Sequence, residues 1–286
     1  MQHRKSESLV EGLCFGEGPR WRNGRLWFSD MYGYKIFSVD LAGEIETITE
    51  VPKQPSGLGW LPNGDLLFVS MLDRRIMRLG PDGTKVHSDL SELIEHPCND
   101  MIVDAVGNAY VGNYGFDLDL VMKGEGRPQE THLVCVTPEG DAFKVGDPLL
   151  FPNGMVITPD GGTLIVAETF GARLTAFDLS ASGELTNGRI WASLEGIHPD
   201  GITLDADGAI WIASPRAKSV FRIAEGGQVL EAIELEQDCF ACMLGGEDGK
   251  TLFMLTAGTF DGRESKERKT GRVEVVAVDV PKAGLP

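Results

Sequence analysis

The chain contains no apolar run approaching the roughly 18 residues that span a bilayer as a helix. Its first residues, Met-Gln-His-Arg-Lys-Ser-Glu-Ser, lack the apolar centre of a secretory signal, so a cytoplasmic location is expected. Cysteines are few: Cys14, Cys98, Cys135, Cys239 and Cys242 are odd in number and irregularly spaced, which excludes a disulfide framework in favour of reduced thiols. Cys239 and Cys242 have C-x-x-C spacing, but no second pair completes a zinc site and no helix start lowers a thiol pKa, so both read as buried strand residues. Positive charge is also scarce. Lys and Arg total 26 against 43 Asp and Glu, a net charge of -17, and such a surface repels phosphate backbones and anionic lipid, which excludes nucleic acid and membrane surfaces as expected partners.

What is present is a large, turn-rich chain. With 286 residues and 42% hydrophobic content it can bury a core the size of a barrel, a propeller or two domains. Glycines and prolines are dispersed along the whole length, the mark of many tight turns rather than of a disordered tail. Six segments, 18–30, 57–70, 100–112, 154–167, 201–213 and 241–256, share one pattern of small residue, apolar strand, turn with glycine, and second apolar strand. Their turn glycines, Gly24, Gly64, Gly107, Gly161, Gly208 and Gly249, are 40, 43, 54, 47 and 41 residues apart, which is the period of a propeller blade.

The hairpin strands are apolar on both faces, so each sheet must be stacked between others. A third, alternating strand follows each hairpin, at 34–40, 75–79, 132–137, 173–179, 219–224 and 272–280, and a fourth closes the unit, as at 43–49 and 227–235. The predicted fold is all-β, a six-bladed β-propeller with four-stranded blades, forming a single domain over residues 1–286. The last unit ends at its third strand while residues 8–13 precede the first hairpin, so the amino-terminal strand is expected to complete the final blade and close the ring. Two segments break the period. Residues 257–271 read as a solvated charged loop; residues 113–131 mix Tyr114, Phe116 and Leu118 with Asp117 and Asp119 and could either roof one end of the channel or lie loose on the surface.

The residue at the head of each innermost strand is Glu17, Ser56, Asn99, Asn153, Asp200 and Phe240 in turn. Innermost strands line the channel and run in one direction, so these heads form a ring at one end. Two carboxylates and two amides without thiolates make a hard-oxygen site suited to calcium, magnesium or manganese, with positions left for water or substrate. Asn and Asp before glycine are also ordinary turn residues; four polar heads at equivalent positions weigh against that simpler reading.

The Gly-Glu-Gly-Pro-x-Trp opening, the Pro-Asn-Gly and Pro-Asp-Gly heads and the six-unit layout resemble the senescence marker protein, gluconolactonase and luciferin-regenerating enzyme family over nearly the whole chain. The resemblance implies metal ligands at Glu17, Asn153 and Asp200, and a channel asparagine at Asn99 that contacts substrate or water. It implies a lactonase using one divalent ion, calcium first, with zinc, manganese, magnesium or iron(II) as alternatives. Its sugar-lactone members often carry an arginine where this chain has Pro97, which leaves room for a less polar lactone or ester. The expected reaction is opening of a small lactone by an activated water, with the ion polarising the carbonyl and Asp200 as catalytic base; alternatively the ion ionises the water and Asp200 orients it.

His96 and His198 each lie beside a proline just before a head and are expected, with Tyr114, to face the substrate; His132, on a third strand, reads as structural. Ser56 has no histidine-aspartate relay in view, which argues against a serine hydrolase. Trp21, Trp60 and Trp211 fall within hairpins and read as core between blades. Two other functions stay open: a partner-binding propeller with a structural ion, and an esterase or phosphotriesterase using the same site. The oligomeric state is left open.

Overall fold

In a computed structural model, residues 4–286 are described. After β1 (Glu7–Leu13), the first blade is β2 (Gly16–Arg22), β3 (Arg25–Asp30), β4 (Lys35–Val39) and β5 (Ile45–Glu50). The second is β6 (Pro55–Trp60), β7 (Leu66–Ser70), β8 (Arg75–Gly80) and β9 (Gly83–Asp89). The third holds β10 (Cys98–Val103) and β11 (Ala109–Asn113), then helix α1 (Leu118–Met122), then β12 (Thr131–Val136) and β13 (Ala142–Leu149). The fourth is β14 (Pro152–Ile157), β15 (Thr163–Glu168), β16 (Arg173–Leu179) and β17 (Leu185–Ser193), and the fifth β18 (Ile202–Leu204), β19 (Ile210–Ser214), β20 (Ser219–Ile223) and β21 (Val229–Glu234). The last comprises β22 (Asp238–Gly245), β23 (Thr251–Ala257), helix α2 (Gly262–Arg268) and β24 (Gly271–Ala277).

Each blade is a four-stranded antiparallel sheet in chain order, except the last, whose order is β1-β24-β23-β22. The amino-terminal strand therefore closes the ring, with Glu7 opposite Val275 and Leu13 opposite Gly271. Six sheets in a ring is the six-bladed propeller that the spacing predicts.

The repeat forms blades because each sheet face is apolar and finds another. Ile36 of the first blade is buried with Leu58, Leu66 and Phe68 of the second, and Val156 and Ile165 of the fourth with Ile202 and Ile210 of the fifth. Trp21 stacks on Phe253 across the closure, centroids 5.2 Å apart, Trp27 meets Trp60 edge-on at 5.4 Å, and Trp211 is fully buried. Burying a large apolar side chain this way contributes roughly 1.5–3 kcal/mol.

The innermost strands β2, β6, β10, β14, β18 and β22 touch one another in sequence around the axis. Their approach explains the glycine after the polar head. A Cβ on Gly154 would lie 2.6 Å from Ile202 N, and one on Gly201 would lie 2.6 Å from Ala241 Cα. These glycines let neighbouring blades meet at the axis, so the Asn-Gly and Asp-Gly heads are not turns. At the far ends of the same strands, the carboxyl-terminal tail runs along neighbouring blades, pairing Leu285 with Ile157 and Lys282 with Asp205.

Candidate active site

Glu17, Asn99, Asn153 and Asp200 come together at the head end, all lining one cavity of about 220 Å³, and each is buried, at 8%, 6%, 6% and 7% exposure. Their backbones are fixed by the ladder. Asp200 N donates to Ala213 O at 2.9 Å, and Asp200 O accepts from Gly154 N at 3.2 Å, tying this head to the Asn153 blade. The asparagines are anchored by their amide nitrogens: Asn153 Nδ2 donates to Thr169 Oγ1 at 3.2 Å and Asn99 Nδ2 donates to Pro152 O at 3.5 Å. Thr169 in turn donates to Pro199 O at 2.8 Å. Each amide is thus held through its nitrogen, with its side chain in the cavity lining.

Beneath this floor lies a buried ion pair. Arg20 Nη2 meets Asp100 Oδ1 at 3.0 Å, while Arg20 Nε donates to Leu58 O at 3.0 Å. Three carboxylates, Glu17, Asp100 and Asp200, thus face one guanidinium, leaving two negative charges in excess when all are ionised. Burial pushes the Glu17 carboxyl well above its ordinary range, helped by the charges of Asp200 and Asp100 and opposed by the Gly18 N–H and Arg20. Burial and Asp100 push Asp200 up in the same way, opposed by the Asn153 amide. Asp200 Oδ1 is buried and has no hydrogen-bond partner among the described residues. An orphaned carboxylate oxygen beside a second carboxylate and two amide oxygens fits a hard divalent cation. Among the described residues no group of three or more His, Cys, Asp or Glu side chains is placed to hold a metal; at this floor half of the donors are amides, and no thiol or imidazole joins them.

The walls are apolar and are pinned from below. Asp30, last residue of β3, accepts from Cys14 N at 2.9 Å and Phe15 N at 2.8 Å, setting Phe15 against Tyr32 and Phe240. Glu168, last residue of β15, accepts from Leu150 N at 2.8 Å and so places Phe151, whose φ is 61°. Phe151 stacks on Tyr114 at 5.0 Å and meets Phe170 at 5.2 Å. Tyr114 is half-buried, and its phenol is pushed up by burial first and then by neighbouring phenol and carboxylate groups.

Both breaks in the repeat reach this mouth. Segment 113–131 roofs it, with Leu118 and Met122 of α1 in the lining. Segment 257–271 is not a loose charged loop: Asp261 caps α2 by accepting from Arg263 N and Glu264 N at 3.0 and 2.9 Å, and Phe260 before it lines the cavity.

The two histidines separate. His198 lines the cavity, its Nδ1 3.1 Å from Thr169 O. His96 is half-buried and is absent from the lining. The reason is register: His198 stands two residues before its head, as do Phe15 and Phe151 before theirs, whereas His96 stands three before Asn99. Pro97 holds the equivalent position; its carbonyl accepts from Tyr114 N at 3.1 Å, and the Tyr114 ring supplies that part of the wall. Away from the cavity, His132 Nδ1 lies 3.0 Å from Gly146 O, Ser56 is buried outside the lining, and Cys239 and Cys242 are buried on β22 with thiols pushed up by desolvation. Thr169, Phe170 and Arg216 line the cavity without a sequence expectation. Arg216, with φ 69°, is the sole Lys or Arg in that lining.

The chain is similar to known proteins along most of its length. The chain is 25% identical over 260 residues to regucalcin of Danio rerio, covering 85% of this chain and 82% of that one. It is also 25% identical over 290 residues to 6-deoxy-6-sulfogluconolactonase of Pseudomonas putida, covering 95% and 94%. The structure of a calcium-binding protein, regucalcin from Agrobacterium tumefaciens strain C58, superposes with a TM-score of 0.82 at 19% identity, over 100% of this chain and 99% of that one. Residues 15–258, which hold all six heads, match the SMP-30/Gluconolactonase/LRE-like region, and the chain belongs to that family.

Proposed function

We propose that the protein is a lactonase that opens a small lactone ring by attack of water at the head-end cavity, with one divalent ion, calcium first, held by Glu17, Asn153 and Asp200. The observation that carries this is the floor itself: two buried carboxylates and two anchored amides, with Asp200 Oδ1 left unpaired, at the base of an apolar cavity. The sulfogluconolactonase relative supports lactone hydrolysis as the reaction.

An ion held there supplies Lewis acidity to the lactone carbonyl, a contribution of several kcal/mol to the developing oxyanion. Asp200 accepts the proton of the attacking water as its oxygen bonds to the carbonyl carbon; the ring C–O bond then breaks and the leaving alkoxide takes that proton. Glu17 sets a second carboxylate beside Asp200, which makes the site attractive to a cation. Asn99 faces the substrate, and the roof segments exclude bulk water, strengthening each polar interaction below.

The test is a panel of sugar, aliphatic and aromatic lactones assayed with calcium, magnesium, manganese, zinc and iron(II). Hydrolysis of at least one, abolished by chelation and restored by added ion, is expected. Hydrolysis of none in any metal overturns the reading in favour of a partner-binding propeller.

A further inference from the structure

The floor and the walls of the cavity have opposite chemistry, and the walls carry information about the substrate that the floor does not. Of the 18 lining residues, seven are aromatic: Phe15, Tyr32, Tyr114, Phe151, Phe170, Phe240 and Phe260. They stand on both sides of the floor, Phe15 and Phe240 with centroids 4.5 Å apart on one side and Tyr114 and Phe151 5.0 Å apart on the other. Most of the polar groups are already committed. Thr169 donates to Pro199 O, His198 Nδ1 is held at Thr169 O, Tyr32 Oη donates to Phe260 O, and Glu17, Asn99, Asn153 and Asp200 form the floor. Tyr114, His198 Nε2 and Arg216 remain for the body of a ligand. A polyhydroxylated lactone lying between the walls would set most of its hydroxyls against carbon, away from these three groups. Met122 and Phe260 at the rim are themselves 39% and 46% exposed, so the apolar surface continues to the mouth.

From this arrangement we infer that the substrate is a lactone with an apolar, ring-bearing body, and that polyhydroxylated sugar lactones are discriminated against by the walls. The inference rests on the lactonase reading, because the floor fixes the position of the ester. The substrate's ester group lies on the carboxylate and amide floor while its substituent lies between the aromatic walls.

The test compares a phenyl-substituted δ-valerolactone with glucono-1,5-lactone on the full-length, ion-loaded protein. An apolar pocket rejects a single added hydroxyl by about 100-fold, so kcat/KM for the phenyl lactone is expected to exceed that for the sugar lactone by at least about 100-fold. Equal values, or a preference for the sugar lactone, overturn the inference while leaving the lactonase reading intact. If neither is hydrolysed, calorimetric binding of the two intact lactones decides the substrate class, while the wider lactone and metal panel decides the lactonase reading: binding of the phenyl lactone alone upholds the apolar cavity, and binding of the sugar lactone overturns it. A second arm uses Phe260→Ser, a rim position whose exposure spares the fold. It is expected to raise KM for the phenyl lactone by up to about tenfold with kcat retained, and an unchanged KM would contradict the wall's role.

Discussion

The floor and the mouth of the cavity are built by different means. The floor comes from one position repeated in six blades, fixed by the sheet ladder and by glycines that bring the inner strands together. The mouth comes from what departs from the repeat: the residues ahead of the heads, strand ends such as Thr169 and Phe170, and the two long segments carrying α1 and α2. The contrast teaches that the repeat supplies a place for polar chemistry on the axis while its interruptions shape what can reach it. A perturbation of the floor should therefore cost stability and turnover together, and one at the rim should cost little of either.

The largest stability effect is expected below the floor. Arg20→Met leaves Asp100 buried without its guanidinium partner, and breaking such a pair from one side costs about 3–5 kcal/mol. Denaturant unfolding should show that loss, and a change under 1 kcal/mol would mean that Asp100 finds another partner. Gly201→Ala sets a methyl group against the backbone of Ala241, an overpacking expected to cost about 1–3 kcal/mol and to lower turnover by displacing Asp200. Retained turnover would show that the head is not positioned by the contact between blades. At the rim, Glu264→Ala removes one exposed pair with Arg268, 3.4 Å apart on α2. Its expected cost is about 0.3–0.5 kcal/mol by thermal unfolding, with kcat/KM unchanged; a large loss of activity would make α2 part of the floor's support rather than of the mouth.

The same division sets what the sequence reveals. Turn glycines, flanking apolar strands and the order of strands within a blade are local, and they recur six times, so the blades and the closure by β1 are readable before any contact is known. The heads are readable for the same reason, since Ser56, Asn99, Asn153 and Asp200 each stand eight residues before their turn glycine, with Glu17 seven and Phe240 nine before theirs. Thr169 and Arg216 are not, because each follows a second strand and reaches the cavity only through the placement of a neighbouring blade. His96 shows how narrow the margin is: one residue of offset from the register of His198, Phe15 and Phe151 puts it off the wall. The α2 segment did carry a signal in Asp261 as cap and in the Arg263–Glu267 and Glu264–Arg268 spacing, but its charge concealed the helix that carries Phe260 to the mouth. The carboxylate pins Asp30 and Glu168 belong to strand ends whose role is visible only once the loops they hold are in place.

The most direct test of the floor as a catalytic site is Asp200→Asn, with bound calcium quantified on the same sample that is assayed for lactone hydrolysis. The substitution keeps an oxygen donor and the side-chain volume while removing the charge that accepts a proton. The expected result is a fall in kcat of about a hundredfold or more with the ion still bound. Full activity with the ion bound would contradict the account.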